Sequence, residues 1–544
     1  MIRLKQQHSG WLAGLLMSVS LAAVVAGCAV VPQPLTDREF TARAAVDLEA
    51  MFRDQAGLDG PLTFGTAVAR VLRYNLDHRA KMMEEAQSLG QLDLDRWELL
   101  PKVVAGAGYL NRSDHATTTS KDSVTLAPAL SNPYYSMDRD RYTADLTVSW
   151  NILDFGVGYF TSKQNADRAI IAEERRRKAV QNLVQEVRAA YWRALAAQQL
   201  HDRVDEAIVD ADAALKAAQQ VENEQLRNPL DSLRYQKTLL ESLRQLESIS
   251  QELSTAKSEL SALINIPPGT PYTLAPPTEA DMALPEWTLP VPQMEEMAFA
   301  HNPDLREQVY EARIAVAETR KEYLKLLPGI TFSGSQQFDS NSFLVNNFWR
   351  EAAAKVSWNL IGLLSAPDRI QFAEDRENVA DKRRLALRMA VLAQVHVSRQ
   401  QYENAVRQFV RADALYLVER KIASATAQRQ ENDAQSTLER IGSATSAIAA
   451  ELRRYQTLSQ AEGALGRMEA TLGIDPVTPE MSSIDMAALG EAITRRLYKL
   501  DHGQFDLPEP APAIATDAPA APGDRMKTAT AEPSAGTPVP ANQP

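Results

Sequence analysis

The chain reads as mostly α with a membrane β-barrel, built from two tandem structural repeats, each a β-hairpin followed by very long coiled-coil helices. Three observations predict this class. The tetrapeptide Val148-Ser149-Trp150-Asn151 returns at Val356-Ser357-Trp358-Asn359, 208 residues later. A segment of alternating character leads into each copy. Each copy is then followed by a run without Pro or Gly far longer than an ordinary helix, which averages about a dozen residues.

Arg3 and Lys5 precede an apolar run from Trp11 to Ala26, flanked like a secretory signal and too short to span a bilayer. It ends Val25-Ala26-Gly27-Cys28, which resembles the bacterial lipobox, where the signal is cut before the Cys and the thiol is lipidated. Residues 1–27 are thus expected to be a lipoprotein signal peptide and 28–60 a lipid-anchored N-terminal segment. Cys28 is the only cysteine, so no internal disulfide framework is possible. By resemblance to lipoprotein sorting, Ala29 in place of Asp favours the outer membrane. No later run is apolar enough for a spanning helix, so any spanning structure has to be a closed barrel. The net charge is −12, and removal of Arg3 and Lys5 with the signal takes it to −14. Such an acidic chain is a poor partner for nucleic acid.

The duplication extends well beyond four letters. Asn75-Leu76-Asp77 matches Asn302-Pro303-Asp304, and Leu99-Leu100-Pro101 matches Leu326-Leu327-Pro328, both at an offset of 227. At the repeated tetrapeptide the offset is 208, and Asp167-Arg168 matches Asp375-Arg376 at the same value. The units close at Leu263-Ile264-Asn265 and Leu472-Gly473-Ile474, within one residue of it. The 19 surplus residues of the first unit therefore lie between its two strands, in a loop free to vary.

Within a unit, Phe64 to Leu100 reads as one helix. Val103 to Tyr109 reads as a strand, and Asn111 to Asp140 as a polar loop. In the next strand Tyr142, Ala144, Leu146, Val148 and Trp150 face one way, and Thr143, Asp145, Thr147 and Ser149 the other. In the second unit Ala352, Ala354, Val356, Trp358 and Leu360 alternate with Ala353, Lys355, Ser357 and Asn359, and the partner strand opens at Ile330-Thr331-Phe332-Ser333. Strands of this length suit a tilted bilayer crossing. A half-buried hairpin of a soluble domain gives the same period, so each strand alone is weak evidence.

After each hairpin come the long runs. Tyr159 to Asn228 is free of Pro and Gly for 70 residues, Leu230 to Ile266 for 37, and Asp368 to Ile441 for 74. A helix of that first length spans about 105 Å at 1.5 Å per residue. Val180, Leu183, Val187, Ala190, Ala194 and Ala197 step by three and four, and a second seam runs through Val184, Tyr191 and Leu195. Two seams on one helix call for two neighbours, in a ring of helices or in an antiparallel bundle.

The order helix, strand, loop, strand, very long helix, turn, helix, given twice, resembles the TolC-type outer membrane factor family over about residues 61 to 476. Trp150-Asn151-Ile152-Leu153-Asp154-Phe155-Gly156 is similar to that family's strand-exit motif. The resemblance implies a homotrimer: a 12-stranded β-barrel in the outer membrane of a Gram-negative bacterium, continued by an α-helical periplasmic tunnel. It also implies an exit duct of a tripartite efflux or type I secretion system, with a periplasmic membrane-fusion (adaptor) protein and an inner-membrane pump of RND or ABC type as partners. Strand number leans the same way. One chain offers four strands and two chains eight, whose interior side chains would fill, whereas twelve leave a lumen.

The expected organisation is a first unit over 61–267, with strands about 102–112 and 141–152 and a long helix about 159–228. A connector at 268–292 follows. The second unit spans 293–476, with strands about 329–338 and 350–361 and a long helix about 368–435. Then come an equatorial segment at 477–507 and a Pro/Ala-rich tail at 508–544 that cannot build a core. Thr143, Asp145, Thr147, Lys355 and Ser357 are expected to face the lumen, and Trp150 and Trp358 to mark where strands leave the bilayer. The hairpin turns are expected at Arg227-Asn228-Pro229 and near Gln435 to Leu438. By the resemblance, Glu431 and Asp433 are the candidates for a constriction at the periplasmic tip. The histidines show no metal-ligand spacing and there is no Gly-rich phosphate loop, so neither an enzyme nor a cofactor is expected. The competing class is a structural coiled-coil lipoprotein that bridges envelope layers without transport; it would leave the matched strands unexplained.

Overall fold

Helix and strand alternate in the order of the duplication. The structure, a computed structural model, describes residues 33–505 apart from 59, 120, 129–131, 225–228, 279–281, 429–433, 479–480, 482–484 and 502–503. A first helix, α1 (Asp37–Phe52), precedes the first unit, which comprises α2 (Phe64–Tyr74), α3 (Leu76–Glu98), β1 (Lys102–Asn111), β2 (Ala116–Thr118), β3 (Tyr134–Met137), β4 (Asp140–Asn151), α4 (Ile152–Asn223) and α5 (Pro229–Leu263). The second comprises α6 (Val291–His301), α7 (Pro303–Leu324), β5 (Gly329–Asp339), β6 (Phe348–Ser357), α8 (Leu360–Leu364), α9 (Ala366–Gln428) and α10 (Ala434–Leu472). A last helix, α11 (Met486–Asp501), packs on α2.

The four long strands form one antiparallel sheet in the order β1-β4-β5-β6. The hairpins map onto each other without slippage: Lys102 opposite Ser149 in the first becomes Gly329 opposite Ser357 in the second. β1 and β6 are the free edges. The small β2–β3 sheet occupies the surplus loop, where the sequence suggested no strand.

The core lies along α4. Val180, Leu183, Val187, Ala190, Ala194 and Ala197 are buried, as are Val184, Tyr191 and Leu195. α4 packs against both α5 and α10, and Tyr191 also meets Phe64 of α2. A leucine as fully enclosed as Leu195 or Leu200 contributes about 1.5–3 kcal/mol over its exposed state. Each unit ends in a left-handed residue at the same place, Asn265 (φ 55°) and Gly473 (φ 73°). Gly473 has no alternative there, since a Cβ would lie 2.2 Å from the His301 carbonyl. The exact alignment of the unit ends is therefore Asn265 on Gly473.

Several expectations need correction. The stretch Phe64 to Leu100 is two helices, because the Asn75 side chain caps α3 and turns the chain. The long helices begin earlier than residues 159 and 368, at Ile152 and Ala366, because strand hands over to helix almost at once. β6 stops at Ser357, short of 361, and the separate helix α8 follows. β4 runs to Asn151 because it is paired on both sides, whereas β6 has a neighbour on one side only. Gln435 to Leu438 are helical and hold no turn. Cys28, Arg227-Asn228, Glu431, Asp433 and the tail 508–544 lie outside the described residues.

Candidate functional site: a four-stranded sheet joined to long helices

The repeated tetrapeptide is a joint. Asn151 ends β4 and caps α4: its Oδ1 accepts from the backbone N–H groups of Leu153 (2.8 Å) and Asp154 (3.2 Å). Its amide also donates to Thr331 Oγ1 of β5 at 3.0 Å, so one side chain binds helix and sheet together. Asn359 does the capping half of this in the second unit, accepting from Gly362 N–H at 2.8 Å. An Asn cap relieves one of the helix's orphan donors. The sequence signal was available, an Asn just before a helix with an acidic residue, Asp154, at the third position. The Trp residues lie just outside these caps. Trp150 meets Phe155 edge-on at 5.6 Å, and Trp358 Nε1 donates to the Leu326 carbonyl at 2.9 Å.

The sheet is inside out by the standards of a protein in water. Leu146 is 50% exposed and Phe332 47%. Thr143, Asp145, Thr147, Ser149, Ser333 and Ser335, on the other face, are partly covered. The register places Thr143, Asp145, Thr147, Lys355 and Ser357 together on this polar face. The apolar face is zoned along its length. Tyr109, Tyr142, Phe338 and Phe348 lie toward the loop end and Trp150 and Phe332 at the helix end, with Ala105, Leu146, Val148 and Ala352 between. Aromatic girdles around an apolar band match the pattern of the outward face of a membrane strand. Gln336 and Arg350, directly opposite each other, are its polar exceptions.

Below the sheet, charged pairs fix α4 to the second unit. Asp167 pairs with Arg313 at 2.8 Å and Glu174 with Arg306 at 2.8 Å, both on α7. Arg177 pairs with Asp475 at 2.8 Å. Burial pushes the Asp167 and Glu174 carboxyls up, against the pull of the neighbouring guanidinium groups. Further along, Arg188 lies 3.1 Å from Glu462 and 3.3 Å from Glu469 of α10. These contacts are structural. Among the described residues, no cluster of His, Cys, Asp and Glu could hold a metal ion, and no helix is long and apolar enough to cross a membrane.

The family model described as outer membrane efflux protein matches residues 68–265. That stretch includes the first hairpin, its exit joint and both helices that follow. Over those residues the chain is similar to the outer membrane efflux protein family. No curated protein matches it. Among solved structures, the chain is similar to the outer-membrane channel OprN, with 18% identity and a TM-score of 0.57, covering 75% of this chain and 89% of that one. It is similar to the MtrE outer membrane channel of Neisseria gonorrhoeae in its open state, with 16% identity and a TM-score of 0.54 over 76% and 91%. It is also similar to the CmeC outer membrane channel of Campylobacter jejuni, with 12% identity and a TM-score of 0.55 over 80% and 89%. At such identities the likeness speaks for the fold. That fold is a strand-bearing end continued by long helices.

Proposed function

We propose that the protein is the outer membrane exit channel of a tripartite efflux or type I secretion system. It passively conducts substrates from a periplasmic adaptor and inner-membrane pump to the exterior. The observation that carries this reading is the inverted sheet, apolar and girdled on its exposed face, polar on the other, and continued by helices of 72 and 63 residues. An inverted sheet needs lipid outside and water inside. Four strands cannot enclose water, so three copies are assigned, giving twelve strands and a lumen lined by Thr143, Asp145, Thr147, Lys355 and Ser357. A helix of 72 residues reaches about 108 Å from the sheet at 1.5 Å per residue, a length suited to meeting an adaptor across the periplasm.

In this reading Cys28 carries acyl chains that anchor the mature chain to the same membrane. Glu431 and Asp433 form the narrow ring at the far tip, where each would recur three times around the axis. The channel itself is tested in planar lipid bilayers. Purified protein should open discrete, long-lived conductances and run as a trimer in native electrophoresis. A trimer that never conducts, or a monomer, overturns the reading and returns the protein to the class of envelope-bridging rods.

A further inference from the structure

We propose that the edge strand β6 pairs antiparallel with β1 of the next copy in one definite register, with Val356 opposite Ala107, and that this seam is closed on the polar face by two ion pairs between copies. The inference rests on the ring of copies proposed above. It follows from the duplication. β1 stands to β4 as β5 stands to β6, with every pair conserved under the shift of 227 for the first strand and 208 for the second. The junction between the units, β4 on β5, sets Val148 opposite Gly334 and Thr143 opposite Asp339. If each unit meets the next in the same way, that junction recurs between β6 and a neighbouring β1. The same shifts then set Val356 opposite Ala107, Ser357 opposite Gly106, Lys355 opposite Gly108 and Glu351 opposite Arg112.

The charges on the two edges agree with this register. Among the described residues no carboxylate pairs with Lys355 and no cation with Glu351. Glu351 meets Arg112 directly across the seam. Lys355 faces two residues without side chains, and beyond them lies a carboxylate. Asp145 Oδ1 leans over Gly106 so closely that a Cβ there would be 2.3 Å away. A lysine stem laid across Gly108 reaches that carboxylate. A slip of one residue would send Lys355 to the apolar face, and a slip of two would part Glu351 from Arg112.

Directly opposite strand residues are close enough for a disulfide, and diagonal ones are not. The full chain carrying both Val356→Cys and Ala107→Cys should therefore run as covalent dimer and trimer without reductant. The single variants, which keep Cys28, should not. The offset pairs Val356→Cys with Ala105→Cys or with Tyr109→Cys should yield less by about tenfold or more. Stronger linkage in an offset pair overturns the register and leaves the ring of copies standing. No linkage in any pair, from protein that is trimeric in native electrophoresis, overturns the seam alone; from protein that is monomeric, it overturns the ring as well. Lys355→Glu should lower the yield of trimer resistant to detergent, and adding Asp145→Lys should restore it. A double variant no better than the single one removes the Lys355–Asp145 pair from the proposal.

Discussion

Asn75 and Asn302, 227 residues apart, make the same two bonds. Asn75 accepts from His78 N–H at 3.0 Å and donates to the carbonyl of Leu263 at 3.2 Å. Asn302 accepts from Leu305 N–H at 3.1 Å and donates to the carbonyl of Thr471 at 2.9 Å. Leu263 and Thr471 are themselves equivalent, 208 residues apart. In each unit one buried side chain caps the helix that leads to the sheet and holds the end of the helix that returns. Either Asn→Ala should cost about 1–3 kcal/mol, from the lost cap and a buried carbonyl left unmet. Denaturant unfolding of each single variant checks it, and a cost below a few tenths would show that water replaces the clamp.

His78 stands where the second unit has the core residue Leu305; both are buried. Its Nδ1 donates to the Leu72 carbonyl at 2.9 Å, and its Nε2 has no partner among the described residues. Burial lowers its pKa below the usual 6.5, and Arg176 adds to the effect. The unfolded chain therefore binds a proton that the folded chain resists. This contribution to stability is present above the unfolded pKa and is lost as pH falls below it. His78→Leu should flatten the drop in thermal midpoint between about pH 7 and 5. An unchanged profile would place the acid sensitivity elsewhere.

Leu146 and Asp145 are neighbours on opposite faces of β4. Leu146→Arg should impair assembly by about 2–4 kcal/mol if that face meets the bilayer midplane, while Asp145→Asn should assemble. A water-confined thiol reagent should label Cys at 145 faster than at 146 in the assembled protein. The reverse order would turn the sheet over, and equal rates would argue for a hairpin in water.

Cys28 is tested by metabolic labelling with a radioactive fatty acid. The wild type should be marked and Cys28→Ser should not. The variant should still fractionate in part with membrane, because the sheet also holds it there. Equal labelling of both chains would remove the anchor from the proposed function.

Replacing Glu431 and Asp433 together by Ala should raise single-channel conductance or weaken cation preference, since a ring of carboxylates favours cations. Conductance and selectivity both equal to the wild type would place the narrowest point at other residues.

Long-range order was legible because periodicity and spacing report it. The seams of α4 could be read from three-and-four stepping, and the hairpins from alternation and a constant offset. What escaped were places where one polar side chain overrides propensity. No proline lies between Phe64 and Leu100 to break a helix; Asn75 does so by bonding. Gly156 and Gly158 discouraged a helix before Tyr159, yet the Asn151 cap starts α4 at Ile152. The end of β6 was not legible for another reason, since this edge strand is paired on one side only within the chain. On the polar face the residue types were legible from alternation, but the glycines under Asp145 gained meaning only from the register.

The two joints between sheet and helix differ in stiffness. At Asn151 strand becomes helix with no residue between, and the cap is tied sideways to Thr331, so α4 is welded to the sheet like a cantilever. In the second unit the chain passes through the five-residue α8, leaves helical geometry at Ser365, and resumes with Pro367 in the first turn of α9. That joint is pinned. A bending load applied at the far end of α4 would reach the sheet through an unbroken helix, whereas the same load on α9 would meet an interruption of the helix at Ser365.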